Sequence, residues 1–467
     1  MKMPAHFFRL VLPLIALAGA AAEPLALLPE NPHYFLFRGK PTVLITSGEH
    51  YGAVLNADFD YVKYLDTLAA DGLNLTRTFS GAYCEPAGAF NIAENTLAPK
   101  PGRLLSPWAR SGEPGYANGG NKFDLTKWDD AYFARLRDFV AQAGKRGIVV
   151  ELDFFCPMYE DKQWALSPMN AANNVNGLGK IGKHEVYDLA KNAELQPVQE
   201  ALVRKLAGEL RDADNVYYEI CNEPYFGGVT MAWQHRIADV LTDAEKDFPA
   251  RHLISQNIAN GSAKVAQPHA AVSIFNFHYA NPPTAVAENF ALNKVIGLNE
   301  TGFKGTADDY YRAEAWEFVL AGGGLYNNLD YSFTAGHEDG TFAYPPTQPG
   351  GGNPGFRKQM KVLKDFISGF DFQRMKPDRE IIKSGLAEKA RVQVLAQRRR
   401  QYAIYVKGGL SGPLGLEMPA GKYRIEQLDV LTGEAKLIGT VDHAGGDLSL
   451  ALARDRGEFA LRIVREP

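Results

Sequence analysis

The chain has 467 residues, enough for about three domains at roughly 150 residues each, although one α/β barrel can absorb most of that length. Its 46% hydrophobic and 22% charged residues exclude a mainly disordered chain and a polytopic membrane protein. A net charge of -4 gives no electrostatic ground for nucleic-acid binding.

Residues 1–22 read as a secretory leader. Lys2 and Arg9 supply the positive start, LVLPLIALAGA the short apolar centre, and Ala20-Ala21-Ala22 the small-residue cleavage site. The apolar run is short for a membrane span and contains Pro13. The expectation is a periplasmic or secreted chain starting at Glu23, with no membrane contact once the leader is removed. Cys84, Cys156 and Cys221 are an odd set for an exported chain, so at least one thiol is unpaired within a monomer. A Cys84–Cys156 bridge is geometrically possible, because both fall just past neighbouring strands. No zinc-like cysteine spacing is present.

From about 33 to 335, apolar strand-length runs alternate with amphipathic helix-length segments, the βα pattern of a parallel sheet or barrel. Eight strand candidates follow in order: 42–47, 73–80, 148–155, 215–224, 252–258, 272–279, 294–301 and 325–333. Long loops, about 81–123 and 156–195, follow the second and third, and a helix is expected from DLTKWDDAYFARLRDFVAQAGKRG between them. Eight such units predict an α/β (β/α)8 TIM barrel over 23–378. The turn TSGEHYG after the first strand is no dinucleotide fingerprint. From about 380 the pattern changes to period-two runs such as YAIYVKGG and EFALRIVRE. These predict a small C-terminal antiparallel β-sandwich over 379–467. Tyr402, Ile404 and Val406 alternate as a core face would, and no aromatic strip stands out, so the sandwich is expected to brace the barrel.

Barrel enzymes place their chemistry at the C-terminal strand ends. The exits here offer Glu49 and His50, Arg77, Glu151 and Asp153, Asn222-Glu223, His278-Tyr279, Asn299-Glu300 and Tyr331. Glu223 and Glu300 each follow an apolar strand and an asparagine, on strands four and seven, across the mouth from each other. Two facing carboxylates suit glycosidic bond cleavage, which needs a proton donor and a nucleophile or base. A nearby carboxylate would raise the donor's pKa. Glu151 and Asp153 flank Leu152 and so point into the barrel. Trp108 and Trp164 in the long loops are candidate sugar platforms, and Asn173, with Asn170 and Asn174, is a candidate cleft or turn residue. No HExxH or first-strand His-x-His is present, so neither metal nor cofactor is expected.

VYYEICNEP (216–224), FNFHYA (275–280), KVIGLNETGF (294–303) and Arg77 in LNLTRTF resemble the clan A retaining glycoside hydrolases, close to glycoside hydrolase family 5 and related cellulase-like secreted bacterial glycosidases. NKFDLTKWDDAYFARLRDFV, RGIVVELDFF and the tail AGKYRIEQLDVLTGE resemble the same group. The resemblance implies Glu223 as acid/base, Glu300 as nucleophile, Asn222 on the sugar 2-hydroxyl and Arg77 holding Glu300 ionised. The family often has His-x-Tyr on strand six. Here His278 and Tyr279 are adjacent, which leaves open which of them orients Glu300. Many relatives end strand eight in a tryptophan platform, where Tyr331 or Phe333 stands here. The expected partner is an oligo- or polysaccharide, and the long loops favour exo action or short substrates. The rival readings are a non-catalytic carbohydrate-binding barrel and a metal-dependent barrel hydrolase.

Overall fold

The computed structural model describes residues 23–452 and 457–466; the expected leader, 1–22, lies outside the described residues. Eight parallel strands form the central sheet: β1 Leu44–Gly48, β2 Leu75–Phe79, β3 Val149–Asp153, β4 Val216–Glu219, β5 Ile254–Asn260, β6 Val272–His278, β7 Val295–Glu300 and β8 Leu325–Leu329. Each pairs with its sequence neighbour from β2 through to β8, and β8 returns to β1. The remaining seam, β1 to β2, is bridged by one side chain. Asn74 Oδ1 accepts from the Ile45 amide at 2.8 Å and Asn74 Nδ2 donates to the Val43 carbonyl at 2.9 Å. This is the predicted (β/α)8 barrel, and all eight strands lie where the apolar runs place them.

Helices α1 Tyr61–Ala70, α2 Asp130–Lys145, α3 Asp161–Leu166, α4 Gln196–Glu209, α5 Met231–Ala244, α6 Thr284–Asn289, α7 Asp308–Leu320 and α8 Pro354–Ser368 complete the barrel. The second begins later than the sequence pattern suggests. Asp129 caps it by accepting from the Ala131 and Tyr132 amides. The preceding residues form a hairpin, Trp108–Pro114 against Asn121–Trp128. Within KFDLTKW the buried Phe123 and Leu125 alternate with more exposed residues, a period of two that belongs to a strand.

The barrel floor is closed by apolar packing. Phe35 and Phe37, from a short N-terminal sheet, join Leu44, Leu75, Val149, Tyr217, Ile274 and Leu325 in one buried cluster. Substrate access is therefore confined to the opposite, C-terminal face.

The C-terminal strands are β9 Lys376–Pro377, β10 Ile382–Leu386, β11 Arg391–Gln397, β12 Gln401–Lys407, β13 Leu410–Met418, β14 Gly421–Leu428, β15 Ala435–His443, β16 Gly446–Leu450 and β17 Glu458–Arg465. They make a six-stranded sheet, β9-β11-β12-β17-β14-β15, facing a three-stranded sheet, β10-β13-β16. Strand β12 shows how the sandwich attaches. Tyr402, Ile404 and Val406 enter the sandwich core, while Ala403 and Tyr405 face the barrel core. Tyr405 stacks on Trp316 of α7 at 5.4 Å and 16°, and Arg312 pairs with Glu458 at 2.6 Å.

Candidate active site

Glu300 ends β7, and Glu223 lies four residues beyond the end of β4. Both carboxylates are almost buried, 7% and 8% exposed. An oxygen of each, together with a ring nitrogen of His278, lies within 4.8 Å of the others. His278 Nδ1 sits 3.0 Å from Glu223 Oε1 and 3.5 Å from Glu300 Oε1. Asn257 Nδ2 donates to His278 Nε2, which leaves the ring proton on Nδ1 to be donated to Glu223. Tyr159 donates to Glu223 Oε2 at 2.6 Å. Tyr279 donates to Glu300 Oε1 and Tyr51 to Glu300 Oε2 at 3.0 Å. So Tyr279 answers the nucleophile candidate and His278 serves chiefly the other glutamate.

Adjacent residues on a regular strand point to opposite sides. Yet His50 and Tyr51, Asn222 and Glu223, and His278 and Tyr279 all turn into the site. In each pair the second residue has a left-handed backbone: φ is 60° at Tyr51, 36° at Glu223 and 52° at Tyr279. A bulge between Phe277 and His278 helps the last pair. Non-glycine residues in this region are strained, and such strain gathers at functional sites.

Burial pushes the Glu223 carboxyl up, but hydrogen bonds from His278, Tyr159 and Tyr225 outweigh it and hold the pKa below the ordinary glutamate value. In the free site Glu223 is ionised, contrary to the expectation of a raised value from its carboxylate neighbour.

Arg77 is fully buried, and its principal partner is not Glu300. It forks onto Asp153 with two 2.8 Å bonds and reaches Glu219 at 2.5 Å and Asn222 Oδ1 at 2.8 Å. Its approach to Glu300 is 3.4 Å. Burial and the neighbouring Glu219 charge push Glu151 to about 8, while Arg77 and donated hydrogen bonds overcome burial to hold Glu219 low. One cation thus serves a buried acidic layer beneath the site, and Asn222 is fixed between Arg77 and Tyr159.

The glutamates open into a cavity of about 270 Å3. His50, Asn222, Tyr279 and Tyr331 line it, as expected from their strand exits. Glu49, Trp108, Trp164 and Asn173 do not. Glu49 accepts from the Gly52 and Ala53 amides and from Thr96. Trp108 is wholly buried in the core, and the Trp164 indole donates to the Ile181 carbonyl. Asn173 Nδ2 ties down the Ala165 and Ser167 carbonyls. Glu49, Trp164 and Asn173 hold long loops in place, because a buried loop must satisfy its backbone groups from side chains. Phe333 is core-packed beside Tyr64. The three cysteines are free and buried.

Tyr51, Tyr159 and Glu85 are site residues that strand exits alone do not reveal. Glu85 lines the cavity, accepts from Tyr83 and Asn95, and is pushed by burial to about 7. Asn95 Oδ1 also meets His50 Nδ1 at 3.0 Å, and burial lowers His50 to about 4, so its imidazole is neutral at pH 7. Of these, only Tyr51 carried a signal, its place beside His50.

Among the described residues, two groups of side chains could hold a metal ion: Glu223, His278 and Glu300, and Glu151, Asp153 and Glu219. In the first, His278 Nδ1 carries the proton donated to Glu223. In the second, the Arg77 guanidinium already fills the centre.

Residues 104–260 match the family model for cellulase (glycosyl hydrolase family 5), a span that contains Glu223 and ends before Glu300. The fold matches a Bacteroides vulgatus glycoside hydrolase family 5 structure with TM-score 0.63 at 15% identity, covering 95% of this chain and 93% of that one. A second structure, described as a glycoside hydrolase, matches with TM-score 0.64 at 15% identity over 95% and 97% of the two chains. No curated protein matches the sequence. Family match and fold bear out the resemblance to family 5 and the cellulase-like group. The protein is a glycoside hydrolase built on a (β/α)8 barrel.

Proposed function

We propose that the protein is an exported retaining β-glycosidase in which Glu300 is the nucleophile and Glu223 the acid/base. The observation that carries this reading is the approach of the two carboxylates within 4.8 Å. Retaining enzymes hold their carboxyls about 5–5.5 Å apart, whereas inverting ones leave roughly 6.5–9.5 Å for a water. Glu300 Oε attacks the anomeric carbon as the glycosidic C–O bond breaks, and Glu223, acting in the fraction of enzyme that holds it protonated, gives its proton to the departing oxygen. Water then attacks the glycosyl-enzyme, Glu223 takes its proton, and Glu300 is released. Tyr51 and Tyr279 hold the Glu300 oxygens for in-line attack, and Asn222 faces the sugar. Glu85 and His50 supply polar groups to the sugar pocket.

The near-burial of both glutamates and the small cavity favour removal of one terminal sugar over internal cleavage of a long chain. Residues 1–22 act as the export leader, 23–378 as the catalytic unit and 379–467 as a brace. The Tyr405–Trp316 stack and the Arg312–Glu458 pair support the bracing role.

A panel of aryl β-glycosides tests the assignment. Glu300→Gly should be inactive and should be rescued by azide, giving the inverted glycosyl azide. Glu223→Gln should lose about 10²–10⁴ in turnover of poor leaving groups and far less with activated phenols. Azide rescue at position 223 with inversion would reverse the roles. Activity abolished by a chelator and indifferent to Glu223→Gln would favour a metal-dependent hydrolase instead.

A further inference from the structure

Three phenylalanines are exposed among the described residues: Phe90, Phe226 and Phe303, at 43%, 42% and 62%. All three line the one cavity that holds Glu223 and Glu300. They come from three separate loops, those following β2, β4 and β7. Phe90 and Phe303 are held at φ of 52° and 64°, a backbone region that bulky residues enter only when the surroundings enforce it. Solvent-exposed apolar surface gathered at one opening marks a binding surface.

The three rings stand on the tyrosines that hold the glutamates. Phe90 meets Tyr159 edge-on at 5.3 Å and 87°, and Phe226 meets it at 5.8 Å and 57°. Phe303 meets Tyr279 at 5.2 Å and 73°. The collar is therefore one ring away from the reacting carboxylates. The polar groups available to a sugar, Glu85, His50 and Asn222, are buried. At the rim, Asn260 Oδ1 already accepts from the Tyr225 hydroxyl.

We infer that the group leaving through this collar is an apolar aglycone, and that the natural substrate is a glycoside of such an alcohol or phenol. The inference rests on the retaining-glycosidase reading above and adds the class of leaving group. A second sugar would lay its flat C–H face on one broad ring and bring hydroxyls all round its edge. Here the exposed surface is divided among three separate phenylalanines, and with Glu85, His50 and Asn222 buried most of those hydroxyls would lose water without finding a partner. An alkyl or aryl group carries only the bridging oxygen that Glu223 protonates, and the rest of it gains by leaving water. The aglycone departs as a neutral alcohol or phenol, and water supplies the hydroxyl of the free sugar.

The test uses the full enzyme and the sugar to which the aryl-glycoside panel assigns greatest activity. Its methyl glycoside, octyl glycoside and β-linked disaccharide are compared by kcat/KM, with octyl glycoside below its micelle concentration. The expected order puts octyl at least about tenfold above methyl and above the disaccharide. In a Phe226→Ala/Phe303→Ala variant the octyl-to-methyl ratio should fall by about tenfold. A disaccharide turned over as well as the octyl glycoside, or an octyl preference that survives the double substitution, overturns the collar while leaving the glycosidase reading intact. Inactivity on every glycoside removes both.

Discussion

His278 donates its Nδ1 proton to Glu223 Oε1 across 3.0 Å, while the next residue, Tyr279, gives its hydroxyl to Glu300. Neighbours in sequence thus serve opposite members of the carboxylate pair. The left-handed turn at Tyr279 makes this possible.

The same donors set a pH dependence. Burial would raise Glu223, but His278, Tyr159 and Tyr225 lower it by binding the ionised form. An acid/base whose proton is lost early loses activity on the alkaline side at correspondingly low pH. Tyr159→Phe removes one donor, so the Glu223 pKa should rise and the alkaline limb of kcat/KM should move to higher pH. His278→Gln, which keeps a donor, should move it less than His278→Ala. An alkaline limb that stays fixed in Tyr159→Phe would show that Glu223 does not govern it.

Much of this was legible in the sequence, for identifiable reasons. The barrel strands are buried on both sides, so each reads as an apolar run, and β-barrel topology then locates Glu223 and Glu300 at two strand exits. Tyr159 and Glu85 sit in long loops whose folded course depends on contacts remote in sequence. The left-handed turns at Tyr51, Glu223 and Tyr279 fall on residue types that seldom adopt them, so no glycine marks them. The tryptophans misdirect for the opposite reason. Trp108 and Trp164 are large apolar groups on loops, and both pack into the continuous barrel core, which anchors the loops before they can shape a cleft. The hairpin carrying Trp108 was written in the alternation of KFDLTKW, next to a stronger helical pattern.

The site wall opposite Glu223 depends on a glycine for space. A Cβ on Gly350 would lie 1.9 Å from Tyr331 Cε2 and 2.3 Å from Cδ2. Tyr331 is itself packed edge-on to His50 at 5.4 Å and 69°. Gly350→Ala must therefore push a buried ring into the cavity or distort the loop, at a cost of about 1–3 kcal/mol. We expect a lower urea midpoint and a lower kcat/KM. Gly350→Ala should cost less stability in a Tyr331→Ala background than in the wild type, because the clash is gone. Equal midpoints for wild type and Gly350→Ala would mean that the loop yields freely.

Arg77 gives the sharpest stability prediction. Its guanidinium has no exposed side-chain surface and faces Asp153, Glu219, Glu151 and Glu300. Arg77→Met fills similar volume but leaves these carboxyls without a cation. Removing one partner from a buried ion network typically costs about 3–5 kcal/mol. The sign of the pH effect follows from the carboxyls. Without Arg77, Glu219 loses the charge that holds it low, and Glu151 and Asp153, already raised by burial, lose the charge that opposes that rise. A carboxyl raised in the folded state binds more protons there, so its contribution is fully present below the unfolded value and is lost as pH climbs through the folded one. Arg77→Met should therefore be closest to wild type near pH 4–5 and fall progressively behind towards pH 8. Urea denaturation across that range measures the gap. A gap that narrows with rising pH would contradict the assignment of Arg77 as the cation that holds Glu219 ionised in this buried layer.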